Sequence, residues 1–171
     1  LREAWPEVKI LFRGDSGFCR WKMLRWCDSH GVDYIVGIGG NARLKRFGAQ
    51  LIEQAEESFQ ATGNKQRLFG EFEYAAATWD RARRVIIKAE HTALGENSRF
   101  ILTSHPGDPQ ELYDTLYCAR GNMENRIKEQ QLDLYADRTS CHNWWANQLR
   151  LLISSMAYVL FDHIRRVALK N

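Results

Sequence analysis

The chain has 171 residues, of which 44% are apolar, so it can bury a core of its own. Its formal net charge of +3 and its pI near 8.7 permit a polyanionic partner but do not identify one. The four cysteines are too scattered for a disulfide framework, and the longest apolar run, 151–161, is too short to span a bilayer. We therefore expect one globular domain with reduced cysteines, without a membrane anchor and in the cytoplasm.

The first 40 residues predict a βαβ unit. Residues 7–13 are rich in β-branched and large apolar side chains and stop at Gly14-Asp15, which indicates a strand that ends in a turn. A helix over 19–30 and a second strand over 32–38 follow. Strands connected in this way lie side by side and parallel, so Asp15 is expected at the carboxyl end of a strand.

The rest of the chain predicts more helices and an antiparallel meander. A basic amphipathic helix is expected over 41–58, and strand-rich segments follow at 67–79, 83–92 and 98–104. Helices resume at Asp108-Pro109 and run over about 109–135 and 143–169. We divide the chain into a βαβ part (1–40), a helix with an antiparallel β insertion (41–107) and C-terminal helices (108–171).

The helix over 109–135 predicts a polar stripe beside an apolar one. At 100° per residue, the polar side chains that fall within an arc of about 80° are Tyr117, Arg120, Glu124, Lys128 and Gln131. The apolar stripe expected to pack consists of Leu112, Leu116, Met123, Ile127 and Leu134. A polar face at the border of a packed face is where the wall of a pocket would lie.

Each acidic residue also has a simpler interpretation. Asp15 alone is typical of an Asx turn or a helix cap, and Glu124 with Lys128 is typical of a solvated i,i+4 ion pair. Together, a carboxylate at a strand end and another on a later helix can converge at the crevice where parallel sheets bind ligands. Hard divalent cations prefer such oxygen ligands.

Three motifs resemble insertion-sequence transposases of the thirteen-eighty family, which have a DDE-type catalytic domain. They are Arg13-Gly14-Asp15-Ser16-Gly17-Phe18, the run 124–129 (ENRIKE) and the run 137–148 (DRTSCHNWWANQ). The spacing Tyr117-x2-Arg120-x3-Glu124 also matches the first three positions of the YREK signature of a wider group of these enzymes. The resemblance covers nearly the whole chain and corresponds to the C-terminal part of the catalytic domain.

The resemblance implies a partial ribonuclease-H-like α/β fold in which two Asp and one Glu hold two Mg²⁺ or Mn²⁺ ions. Asp15 would be the second acid and Glu124 the third, and Tyr117 and Arg120 would contact DNA phosphate. The β insertion would precede the Glu helix. The implied function is cleavage and transfer of DNA strands at transposon ends, at a bacterial nucleoid, and a homodimer is a further expectation.

The sequence departs from this family at two positions. The signature expects Lys seven residues after Glu124, where this chain has Gln131, whereas Lys128 lies on the same face three residues earlier. No residue matches the first Asp of the family, and the chain starts at Leu1. We therefore expect a truncated chain that does not transfer strands alone.

Three other interpretations stay open. One is a nuclease of the same fold, which stops after hydrolysis. Another is an inactive DNA-binding remnant, whose phosphate contacts would come from Arg20, Lys22, Arg25, Arg43, Lys45, Arg46, Arg81, Arg83, Arg84 and Lys88. The third is a structural zinc site from Cys19, Cys27, His30, Cys141 and His142, which fits poorly because of its spacing.

Overall fold

The computed structural model describes residues 2–169, apart from the side chain of Arg120. The chain divides into two compact units, Leu1–Arg120 and Gly121–Asn171, and each is described by itself. The division into three segments made from the sequence stays a prediction.

The first unit alternates strands and helices. Its strands are β1 (Leu11–Gly14), β2 (Asp33–Ile38), β3 (Gln66–Tyr74), β4 (Arg83–Thr92), β5 (Gly95–Glu96) and β6 (Arg99–Thr103). Its helices are α1 (Trp21–Ser29), α2 (Ala42–Phe47), α3 (Ala49–Thr62) and the single turn α4 (Pro109–Glu111), which continues into a π-helical segment, Leu112–Tyr117. Local signals set several of these ends: Asn41 caps α2, Gly63 ends α3 at a φ of 69°, and Asp108 caps α4 ahead of Pro109.

All six strands form one mixed sheet in the order β1-β2-β6-β4-β3, with β5 paired to β4. The β1–β2 pair is parallel, which confirms the predicted βαβ unit, and the other pairs are antiparallel, which confirms the meander. Because β6 hydrogen-bonds to β2, the meander continues the sheet that carries Asp15. The mixed α/β fold is as expected, whereas the status of the meander as an insertion stays a prediction.

The core lies on both faces of the sheet. On one face Leu24, Leu44 and Ala55 of the helices pack against strand residues such as Val85 and Ile87. On the other face Leu112 and Tyr113 of the π-helical segment pack against Ile35, Ile86 and Ile101. Each large apolar side chain buried in this way contributes about 1.5–3 kcal/mol. The π-helical segment is thus fixed to the sheet by its own apolar side chains.

The segment predicted as one helix over 109–135 is helical over most of its length, but it is not one continuous α-helix. The π-helical segment and a turn at 118–119 interrupt it, and α5 begins only at Arg120 and ends at Leu134. A π segment closes i→i+5 hydrogen bonds, as Cys118 N–H does to the Tyr113 carbonyl at 2.9 Å, so it changes the angular position of every later residue. The stripes calculated for a continuous α-helix therefore do not hold across residue 117.

The second unit is a helical hairpin of α5 (Arg120–Leu134) and α6 (Trp144–Ala168). Its interface is polar. Glu129 accepts hydrogen bonds from Tyr158 (2.7 Å) and Arg165 (3.1 Å), and Arg126 pairs with Asp162.

The apolar packing predicted for α5 is wrong, because Met123 is 60% exposed and Ile127 is 46% exposed. The contacts with α6 come instead from the polar side chains of Arg126, Glu129 and Gln130. Apolar side chains also stay exposed along α6, from Trp144 to Leu169. Within residues 2–169, no helix has the length and apolar character that crossing a membrane requires.

Candidate active site

The turn that follows β1 presents Asp15. Asp15 caps a 3₁₀ turn, Ser16–Phe18, and its Oδ1 accepts a hydrogen bond from Gly17 N–H at 2.9 Å. The Asx-type cap expected from the sequence is therefore present. The carboxylate is exposed and offers about four acceptor positions, so the cap does not exclude a second role.

Tyr117 and the Asp15 turn meet over Gly37 of β2. A Cβ atom built on Gly37 would lie 2.8 Å from the Tyr117 hydroxyl oxygen, 3.1 Å from the Ser16 nitrogen and 3.4 Å from the Asp15 carbonyl carbon. A methyl group here would crowd the Tyr117 hydroxyl and the Ser16 nitrogen, because the first two distances are shorter than ordinary contacts with carbon. The structure thus brings the Tyr117 hydroxyl and the backbone of the Asp15 turn to the same position on β2.

Contacts within the π-helical segment and with β1 fix the position of Tyr117. The Tyr113 and Tyr117 rings are in contact with centroids 5.4 Å apart, and the Arg13 guanidinium donates to the Leu116 carbonyl at 3.1 Å. Burial raises the pKa of Tyr113 to about 12, so this ring stays neutral. The Arg13 bond therefore connects β1 to the segment that ends at Tyr117.

A buried charge cluster lies under the same segment. Glu90 is buried and bonds to Lys65 (2.8 Å), Lys88 (3.0 Å) and Asn97 (2.6 Å). Burial opposes its ionisation, yet these hydrogen bonds outweigh burial and lower the pKa of Glu90 to about 2. The Lys88 ammonium lies 5.6 Å from the centre of the Tyr113 ring, so the cluster supports the segment that carries Tyr117.

The other predicted residues lie on α5. Arg120 is the first residue of this helix, and its side chain is outside the described part of the structure. Glu124, Lys128 and Gln131 are exposed and share one face of α5 in the second unit. Their roles stay predictions.

Comparison with known proteins identifies the family. The family model described as transposase DDE domain group 1 matches residues 1–171. The chain belongs to this family. No curated protein matches it. Enzymes of the transposase DDE family act on DNA and generally use divalent metal ions.

The carboxylates predicted to bind metal in this transposase chain have the chemistry that a divalent ion requires. Carboxylates such as Asp15 and Glu124 supply the hard oxygen atoms that Mg²⁺ and Mn²⁺ prefer. Among residues 2–169, however, no three His, Cys, Asp or Glu side chains are grouped closely enough to hold a metal ion. The described residues therefore do not form a complete metal centre by themselves.

Two residues of this transposase site were missed from the sequence. Gly37 had a usable signal, because a glycine inside a strand often marks the close approach of another backbone. Arg13 is the first residue of the Asp15 motif, but the sequence has no signal for its bond to the Leu116 carbonyl, because the two residues are 103 positions apart in the chain.

Proposed function

We propose that this chain carries part of the catalytic site of an insertion-sequence transposase of the thirteen-eighty family, which cleaves and transfers DNA strands. The observation that carries the proposal is the position of Asp15, at the carboxyl end of a parallel strand, in a turn whose backbone approaches Gly37 on the side where the Tyr117 hydroxyl lies. Crevices at such strand ends are where α/β proteins bind their ligands.

Asp15 and Glu124 are proposed as two of the three carboxylates that hold Mg²⁺ or Mn²⁺, with two ions in the complete site. Bound divalent ions would stabilise the charge that develops on the phosphodiester oxygens. Tyr117 is proposed to donate a hydrogen bond to a DNA phosphate, Arg120 to bind phosphate with two N–H groups, and Lys128 and Gln131 to contact the backbone.

The ligand role of Asp15 can be separated from its capping role. Asp15→Asn keeps an Oδ1 that accepts from Gly17 N–H, so it removes the negative charge while it leaves the cap in place. Added Mn²⁺ should broaden the amide NMR signals of residues 15–18, even when it binds weakly. We expect Asp15→Asn to abolish this broadening, whereas the exposed Glu57→Gln, with the same change of charge, should retain it. Broadening that persists in Asp15→Asn would refute the assignment, and Glu124→Gln tests the second carboxylate in the same way.

No residue of this sequence is assigned as the first of the three acids, so we predict that the chain alone does not transfer strands. Incubation with Mn²⁺ and a transposon-end duplex tests this, and efficient end cleavage would contradict it. Joining of a cleaved 3′ end to a target plasmid distinguishes a transposase from a nuclease of the same fold. A homodimer and a nucleoid location stay predictions.

An inactive DNA-binding remnant is the less favoured alternative. Five of the ten basic residues that it would use already form ion pairs in the described part of the fold, namely Lys45, Arg81, Arg83, Arg84 and Lys88. Salt-dependent DNA binding without metal-dependent cleavage would favour it.

A further inference from the structure

The basic helix α2 borders a pocket that the proposed chemistry does not use. The pocket has a volume of about 320 Å³ and is lined by Arg43, Arg46 and Phe47. This volume is at the lower end of the range for small-molecule sites, and it suits a single flat group better than a large ligand.

Phe47 offers an aromatic surface in this pocket. Its ring stacks on Phe72 with centroids 5.2 Å apart and an angle of 12° between the planes, and the Tyr74 ring stands nearly perpendicular to it at 6.3 Å. Phe47 is nevertheless 51% exposed. Since a neighbouring ring supports one face, the exposed remainder is a rigid surface on which another flat ring can stack.

The two arginines of the pocket are not neutralised by carboxylates. Within residues 2–169 no carboxylate oxygen lies within 4 Å of the Arg43 or Arg46 guanidinium, whereas Lys45 between them pairs with Glu96 at 2.9 Å. The Arg43 guanidinium lies 5.3 Å from the centre of the Tyr74 ring, which orients it without cancelling its charge. Two cationic groups therefore flank the exposed aromatic ring.

The pocket also lies at the end of the sheet that carries Asp15. The parallel strands β1 and β2 end at Gly14 and Ile38, so Asp15 and the start of α2 follow the sheet at the same edge. Arg43 follows Ile38 by five positions, which is at most about 17 Å of extended chain.

We infer that Arg43, Arg46 and Phe47 form a subsite for one nucleotide of an unpaired DNA strand, with the base stacked on Phe47 and phosphate bound by the arginines. This inference rests on DNA as the partner under the proposed function. It extends that function, because the subsite holds the strand on the α2 side of Asp15. A supported aromatic ring between unpaired arginines is the combination that binds single strands without regard to sequence.

Two oligomers separate stacking from charge. Short oligothymidylate and an abasic oligomer of the same length have the same phosphates, but only the first has bases to stack. We expect the wild-type chain to bind oligothymidylate about tenfold more tightly by fluorescence anisotropy, in line with the stacking of one base. Phe47→Leu should remove this preference, whereas Trp26→Leu, which alters another exposed aromatic residue, should retain it.

Charge is tested with a second pair of variants. Arg46→Gln should weaken the binding of both oligomers equally and lower the slope of log K against log salt by about 0.7, because one phosphate contact is lost. The control Lys9→Gln also removes one positive charge, but Lys9 precedes β1 and lies at the opposite end of this strand from Asp15. It should change neither the affinity nor the salt dependence. Because Arg46 is exposed, its variant does not depend on the packing of Phe47.

The outcomes distinguish this inference from the proposed function. If Phe47→Leu keeps the preference for oligothymidylate while its thermal unfolding matches wild type, the subsite is wrong and the roles of Asp15 and Glu124 are untouched. If the wild type binds neither oligomer, both the subsite and the assumption of a DNA partner fail. If Mn²⁺ does not broaden the amide signals of residues 15–18 in the wild type, but the preference for oligothymidylate depends on Phe47, only the metal-binding role of Asp15 is wrong.

Discussion

Gly37→Ala should disrupt the contact between Tyr117 and the Asp15 turn. The added methyl group would lie 2.8 Å from the Tyr117 hydroxyl oxygen and 3.1 Å from the Ser16 backbone nitrogen, well inside the roughly 3.5 Å of a favourable carbon contact. Overpacking of this kind costs about 1–3 kcal/mol, and the lower entropy of the unfolded chain offsets about 0.4–1 kcal/mol. The net loss of unfolding free energy should be about 1–2 kcal/mol, or a decrease in Tm of about 3–6 °C.

Urea unfolding followed by circular dichroism measures this change. Gly39→Ala is the matched control, because no atom lies within 4 Å of the added Cβ atom, and it should stay within about 0.5 kcal/mol of wild type. In a double-mutant cycle, Tyr117→Phe should relieve part of the cost of Gly37→Ala, with a coupling of about 1 kcal/mol, because it removes the hydroxyl oxygen. Equal stability of the two alanine variants, or strict additivity of Gly37→Ala and Tyr117→Phe, would refute the proposed contact.

Two further predictions concern charges buried in the first unit. The folded-state pKa of Glu90 is about 2, below its usual 4.5, so its contribution is present above pH 4.5 and is lost as the pH falls towards 2. Glu90→Gln should therefore remove up to about 3 kcal/mol of pH-dependent stability in that window, as acid titrations of the unfolding midpoint would show, and an unchanged profile would contradict this. Arg83 and Arg81 both pair with Asp28, but the Arg83 side chain is 1% exposed and that of Arg81 is 56% exposed. Arg83→Met should cost about 3–5 kcal/mol and Arg81→Met less than about 1 kcal/mol by urea unfolding, and similar costs would show that burial does not decide the strength of these pairs.

Much of the fold could be predicted from local patterns. The βαβ unit, the cap at Asp108-Pro109 and the antiparallel meander each leave a signal within a few residues of the sequence, and the structure confirms them. The pairing of β6 with β2 could not be predicted, because it joins residues far apart in the chain and depends on which strand edges stay available.

The candidate site could be predicted only in part. Asp15 could be predicted because a strand end and a turn are local features, and Tyr117 was indicated by the polar stripe and by the family signature. The π-helical segment has no pattern of its own in the sequence, since the same residues suit an ordinary α-helix. The stripe calculated with 100° per residue therefore placed Tyr117 and Met123 on a helix that does not run continuously between them.

The position of β1 at the end of the strand order has a consequence for local opening. In the described part of the chain β1 has one neighbouring strand and only four residues, whereas β4 is paired along both sides. Amide hydrogens of the β1 turn should therefore exchange with solvent sooner than those of β4. Asp15 thus follows an edge strand of low local stability. The Arg13 bond to the Leu116 carbonyl and the approach of Tyr117 to the turn at Gly37 limit how far this turn can open.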